Sequence, residues 1–136
     1  MGDIAVSGTI LLLDDDPRMC QNFKKEFKRL GYDVETATNH QDFSRLIMSL
    51  GSRAQRKDTY FVIDLSHGEE SLMDFGRVLY SSFLLFAGRF PRERIIIFSG
   101  YKPEEMNVPP EYEGCVKLNK LGIFGKIEKL LRQKRK

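Results

Sequence analysis

An α/β fold with one parallel sheet is predicted by three features of this 136-residue sequence. Short apolar runs alternate with stretches in which apolar residues recur every three or four positions, as in buried strands and amphipathic helices. Most of these runs are continuous, which is typical of strands covered on both faces. The runs at 9–13, 33–38, 59–64, 94–99 and 115–118 therefore predict five parallel strands with helices on both faces.

The first helix is predicted to begin directly after the first strand. Asp16 is a suitable N-cap, and Pro17 suits the first helical position because it needs no N–H donor there. Gly31 follows the last apolar position and is expected to end the helix. The apolar stripe between these signals consists of Met19, Phe23, Phe27 and Leu30.

Three further helices would complete the alternation. Asn39 is a candidate cap for the second helix, whose stripe is Phe43, Leu46, Ile47 and Leu50. The third carries Leu72, Phe75, Leu79 and Phe83, and the last carries Ile123, Ile127, Leu130 and Leu131. Between strands four and five, Pro109 and Pro110 would break a helix, so a fourth helix is expected to be truncated or missing.

Composition and charge indicate an ordinary water-exposed domain. The apolar fraction is 41 %, the charged fraction 30 % and the net charge +3. The basic residues that follow Lys126 are expected to form a solvated helix end, so a nucleic-acid partner is disfavoured. Two cysteines make no disulfide framework, and no apolar run has the length of a signal peptide or a membrane span. We expect a cytoplasmic protein without membrane insertion.

Polar residues stand at the carboxyl ends of the predicted strands, where open parallel sheets bind ligands. Asp14 and Asp15 follow the first strand, and Asp16 serves better as the helix cap. The other strand ends are Asp64, Ser99 and Lys117. Clustered carboxylates repel unless a cation neutralises them, and Mg²⁺ prefers such oxygen ligands and works with phosphate. The set predicts a Mg²⁺ site that handles a phosphoryl group, with an aspartate as a possible nucleophile.

Four segments in this order resemble the receiver (CheY-like) domain of two-component response regulators: "ILLLDDDP", "FVIDLS", "IIIFSG" and "GCVKL". The resemblance covers nearly the whole chain. It implies a flavodoxin-like sheet in the order 2-1-3-4-5. It also implies a receiver domain at 9–134, preceded by an extension at 1–8 and followed by a basic end at 135–136.

The resemblance also implies a role for each site residue. Asp64 would accept the phosphoryl group. Lys117 would contact its oxygens, and Ser99 would move to hydrogen-bond it. The implied metal ligands are Asp14, Asp15, Asp64 and the backbone carbonyl of Ser66.

A stand-alone phosphorylation switch follows from these roles as the expected function. The implied phosphoryl donor is a histidine kinase or a histidine phosphotransfer protein. Output would act on an unidentified protein through protein contacts, and a homodimer is compatible with this. The chain would catalyse only its own phosphorylation and dephosphorylation, so it is not expected to be an enzyme towards other substrates.

Three departures from the receiver pattern leave an alternative open. Leu118 stands after Lys117 where the family has proline, and Gly114 stands three positions before Lys117 where it has an aromatic residue. The third is the break at "VPP", which includes Pro109 and Pro110. A receiver-like scaffold that binds a partner without phosphotransfer would tolerate all three. A Mg²⁺ phosphohydrolase with an aspartate nucleophile is disfavoured, because "DDDPRM" lacks the Gly-Thr turn of that class.

Overall fold

A computed structural model of the chain describes residues 8–50, 58–64, 92–100 and 114–134. Within these ranges five parallel strands form one sheet in the order β2-β1-β3-β4-β5, as predicted. The strands are β1 (Gly8–Leu13), β2 (Tyr32–Ala37), β3 (Thr59–Asp64), β4 (Ile95–Ser99) and β5 (Val116–Asn119). The helices are α1 (Pro17–Arg29), α2 (His40–Leu50) and α3 (Ile123–Lys134), and a 3₁₀ turn (Arg92–Arg94) precedes β4.

Two apolar cores cover the two faces of the sheet, because successive strand residues point to opposite sides. On one face Leu11, Phe61 and Ile97 pack with Phe43 and Ile47 of α2. The other face packs against both α1 and α3, through Ile10, Val62, Phe98, Phe23, Phe27, Ile123 and Ile127. Rings of α1 and α3 meet there, with the centroids of Phe23 and Phe124 5.7 Å apart. Helices on both faces are therefore confirmed.

The residues predicted to begin or end the first two helices lie at those helix ends in the structure. The Asp16 side chain accepts a hydrogen bond from the N–H of Arg18, and Pro17 opens α1. Gly31 lies just beyond the end of α1 with a positive φ of 98°. Asn39 caps α2 through its Oδ1 atom, which accepts from the N–H of Asp42 at 2.9 Å. These local bonds fix where each helix leaves the sheet.

One strand boundary differs in a way that affects the site. The fifth strand was predicted at 115–118, but β5 is Val116–Asn119, with Ser99 of β4 opposite Asn119. Lys117 therefore lies inside β5, opposite Ile97, and the residue that follows the strand is Lys120. The cause is that β5 is an edge strand whose residues are all half-buried, so its apolar pattern is weak.

Some predictions fall outside the described residues. They are the third helix with its stripe from Leu72 to Phe83, and the segment at 101–113 in which the fourth helix was expected to be truncated. Among the residues that the structure describes, no helix combines the length and the apolar character needed to cross a membrane.

Candidate functional site

Three carboxylates meet at the carboxyl edge of the sheet, as the sequence predicts. Asp14 and Asp15 follow β1, Asp64 ends β3, and these two strands are direct neighbours. One oxygen from each of the three side chains lies within 4.8 Å of the others. Asp14 is 1 % exposed and Asp64 5 %, whereas Asp15 is exposed to solvent. Two of the three charges are thus withdrawn from water.

The Asp14 backbone is fixed from two sides. Its N–H donates to the carbonyl of Ala37 at the end of β2 at 3.1 Å. Its carbonyl accepts from the buried thiol of Cys20 in α1, with a sulfur–oxygen distance of 3.1 Å. The side-chain Oδ1 accepts from the N–H of Asp16 at 2.9 Å. The second oxygen, Oδ2, is buried and has no hydrogen-bond partner in the described structure.

Burial raises the pKa of Asp14 from 3.8 to about 6. The negative charge of Asp64 acts in the same direction. The hydrogen bond from the Asp16 N–H and the ammonium of Lys120 oppose the rise without cancelling it. The site therefore holds more negative charge than its surroundings compensate.

This donor set fits Mg²⁺. The donors are three carboxylates, the hard oxygen ligands that Mg²⁺ prefers. A cation among them would neutralise the uncompensated charge and would give the buried Oδ2 of Asp14 a partner. The sequence-predicted ligands Asp14, Asp15 and Asp64 are brought together, while the fourth, the carbonyl of Ser66, lies outside the described residues.

The ammonium group beside these carboxylates belongs to Lys120. Its Nζ lies 3.5 Å from Oδ2 of Asp64 and 5.8 Å from the centroid of the Phe98 ring. The predicted donor, Lys117, lies three residues earlier, inside β5 rather than at its end. The lysine that the structure places beside Asp64 is therefore Lys120, whereas the phosphoryl-binding role predicted for Lys117 stays a prediction. The available signal was a second lysine in "VKLNK", immediately before the turn that leads into α3.

Ser99 ends β4 at the same edge, as predicted, and is 1 % exposed. Its carbonyl accepts a hydrogen bond from the N–H of Lys120 at 2.7 Å. The two residues lie 21 positions apart in the sequence, but this backbone hydrogen bond links them at the edge of the sheet. The edge as a whole offers carboxylates, a hydroxyl and an ammonium, which suits a phosphate-bearing ligand with its metal.

The fold is that of receiver domains. The chain is similar to a response regulator receiver domain protein from Clostridium thermocellum, at 17 % identity over 94 % of each chain and a TM-score of 0.62. It is also similar to the receiver domain of the hybrid histidine kinase CckA, at 16 % identity over 95 % of this chain and 100 % of that chain, with a TM-score of 0.64.

A third similar structure is the response regulator TrrA from Thermotoga maritima, solved in complex with Mg²⁺ and BeF. It is 19 % identical over 90 % of this chain and 98 % of that chain, with a TM-score of 0.57. At these identities the likeness establishes the fold alone. No family model and no curated protein matches the chain.

Proposed function

We propose that this chain is a response-regulator receiver that accepts a phosphoryl group on Asp64. The observation that carries the proposal is the buried pair of Asp14 and Asp64, with Asp15 beside it and the Lys120 ammonium 3.5 Å from Asp64. An aspartate that lies between other carboxylates and a lysine is suited to act as a nucleophile and to form an acyl phosphate. The donor would be a phosphohistidine on a histidine kinase or a phosphotransfer protein.

The proposed step is a transfer between a nitrogen and an oxygen. A carboxylate oxygen of Asp64 forms a bond to phosphorus while the bond from phosphorus to the donor imidazole nitrogen breaks. That nitrogen keeps the electron pair of the broken bond. The other ring nitrogen takes up one proton from water before the transfer, so the leaving group is a neutral imidazole. No oxidant or reductant is required.

Each neighbouring residue would stabilise charge during the transfer. Mg²⁺, when bound, supplies positive charge against the carboxylates and the phosphoryl oxygens. Asp14, Asp15 and Asp64 would hold it, and Lys120 would pair with the phosphoryl oxygens. The Ser99 hydroxyl would donate to the same group. We also propose that the reaction takes place in the cytoplasm, and the free, buried thiols of Cys20 and Cys115 support this proposal.

Intact-mass analysis after incubation with acetyl phosphate and Mg²⁺ tests the proposal. We expect the parent protein to gain one phosphoryl group and Asp64→Asn to gain none. Asp58→Asn is the matched control, because Asp58 is an exposed aspartate at the opposite end of β3. If the parent protein gains no mass, or if Asp64→Asn gains as much, Asp64 is not a phosphoryl acceptor.

Two matched variants test the assignment of Lys120 as the lysine that contacts the phosphoryl group. Lys120→Met is expected to slow phosphorylation by about 100-fold, because one preorganised charge is lost at the reacting oxygens. Lys117→Met removes the same charge from the same strand region and is expected to keep the parent rate. Equal losses in the two variants would contradict the assignment of Lys120.

A second candidate is a receiver-like scaffold that binds a partner without phosphotransfer. It is favoured by the residue three positions before Lys120, where receivers carry an aromatic residue and this chain has Lys117. Titration with Mg²⁺ and beryllofluoride, followed by amide NMR, separates the two. Shifts that spread from Asp64 into β5 support the switch, and shifts confined to the ends of β1, β3 and β4 support the scaffold.

A further inference from the structure

The turn after β5 is held by hydrogen bonds on both sides of Lys120. The Lys120 N–H donates to the carbonyl of Ser99 at 2.7 Å. The Asn119 side chain bonds on both sides of Lys120: its Nδ2 donates to the carbonyl of Gly100 at 3.2 Å, and its Oδ1 accepts from the N–H of Leu121 at 3.0 Å. One amide group therefore joins the residue after β4 to the residue after Lys120.

Helix α3 is tied to the same turn. The Nζ of Lys126 donates to the carbonyl of Asn119 at 3.1 Å. The N–H of Ile123 donates to the carbonyl of Lys120 at 3.1 Å. The backbone of Lys120 is thus fixed between the end of β4 and the first turn of α3.

Only an amide in one orientation satisfies both bonds of Asn119. The carbonyl of Gly100 can only accept, and the N–H of Leu121 can only donate. A carboxylate at position 119 would face the Gly100 carbonyl with no hydrogen to share. Alanine would leave both backbone groups to water.

The position of the Lys120 backbone matters because its side chain is long and half-exposed. The Lys120 side chain is 41 % exposed, whereas that of Asp64 is 1 % exposed. The four rotatable side-chain bonds of a lysine let its ammonium occupy many positions, so a fixed backbone origin raises the fraction of them that lies beside the buried Asp64 carboxylate. Leu121 follows Lys120 and, unlike proline, does not restrict its own φ. The hydrogen bond from the Leu121 N–H to Asn119 Oδ1 holds the backbone at this position instead.

We propose that Asn119 is a positioning residue for Lys120, and that its amide fixes the turn from which the Lys120 ammonium reaches Asp64. The positional part stands on the structure alone. Its consequence for phosphorylation rests on the proposed function. The two parts are tested by separate measurements.

The first measurement is a double-mutant cycle in urea denaturation. Lys120→Met, Asp64→Asn and the double variant give the coupling between the two side chains, first in the parent protein and then in Asn119→Ala. We expect the coupling to fall by at least half in the Asn119→Ala background. An unchanged coupling, or no coupling in the parent protein, would overturn the proposal.

Asn39→Ala is the control for a general loss of stability. It removes the same side chain from the N-cap of α2, where Asn39 Oδ1 bonds the Asp42 N–H. We expect Asn39→Ala to lower the denaturation midpoint and to leave the coupling between Lys120 and Asp64 unchanged. A coupling that falls equally in Asn39→Ala and Asn119→Ala would assign Asn119 a merely structural role and overturn the proposal.

The second measurement is the phosphorylation rate with acetyl phosphate. Asn119→Ala is expected to slow the reaction at least about tenfold, since small misplacements of a catalytic group have effects of this size. In the Lys120→Met background the same change is expected to have no further effect, and an equal effect in both backgrounds would overturn the proposal. A parent protein that is not phosphorylated at all refutes the proposed function, and the coupling measurement then decides on Asn119.

Discussion

Replacing Asp14 by asparagine is expected to stabilise the metal-free protein at neutral pH. Asp14 is 1 % exposed, and burial raises its pKa from 3.8 to about 6. A carboxyl that holds its proton more tightly in the folded state destabilises the fold once it ionises. Above about pH 7 this rise corresponds to about 3 kcal/mol. Asparagine keeps the oxygen that accepts from the Asp16 N–H, so that hydrogen bond is retained.

The pH dependence has a definite sign. The folded protein binds the Asp14 proton more tightly than the unfolded chain does, so this group's contribution favours folding at low pH. The contribution is present below about pH 4 and is lost as the pH rises through about 6. The parent protein should therefore lose stability across this window relative to Asp14→Asn, and the difference should be constant above it.

Urea denaturation at a series of pH values measures the effect, with Asp33→Asn as the control. Asp33 is an exposed aspartate of β2, so its replacement changes the net charge by the same amount outside the acidic cluster. We expect Asp14→Asn to raise the free energy of unfolding at pH 8 by about 1 to 3 kcal/mol and Asp33→Asn to leave it within about 0.5 kcal/mol. If Asp14→Asn is no more stable than Asp33→Asn at pH 8, the buried charge of Asp14 is not destabilising and the reasoning fails.

Three further variants test how the fold holds the site. Asp16→Ala should lower the free energy of unfolding by about 1 kcal/mol through loss of the bond to the Arg18 N–H, with no change in Mg²⁺ affinity by calorimetry. Phe27→Ala should lower it by about 3 to 5 kcal/mol in urea denaturation, because this fully buried ring packs between α1 and the sheet. Gly8→Ala should lower the thermal midpoint, because a Cβ there would lie 2.4 Å from the carbonyl oxygen of Asp58 and Gly8 has a φ of +150°. A midpoint equal to the parent's would show that β1 adjusts at that position.

The carboxylates of the site could be predicted from the sequence, because a buried strand is a run of apolar residues whose end is marked by the first charged residue. β1 and β3 are buried almost throughout, so their apolar runs stop abruptly at Asp14 and Asp64. Parallel pairing of β1 with β3 then places the two carboxylates side by side. The apolar pattern of the central strands thus predicts both the parallel sheet and the position of the two buried carboxylates.

The basic part could not be predicted in the same way. β5 lies at the edge of the sheet and is only half-buried, so the sequence "CVKLNK" gives no clear end point and offers two lysines. The pairing of Ser99 with Asn119 decides between them, and it places Lys120 just beyond the strand. That pairing is a tertiary contact. The hydrogen bond from Asn119 to Gly100, which spans 19 positions, is likewise set by the folded structure and not by a local pattern.

Under the proposed function, the position of Lys120 beside Asp64 determines how a signal would leave the site. Counting from Lys120, the position that carries an aromatic residue in receivers is Lys117, a half-buried lysine on β5 opposite Ile97. A charged side chain cannot be buried and released like an aromatic ring without a large desolvation penalty. The turn around Asn119 offers another route, since it connects Lys120 to α3 through Lys126. Under the proposed function, a phosphoryl group that draws Lys120 towards Asp64 would act on α3 through this turn, so α3 is where a phosphorylation-dependent change in contacts is expected.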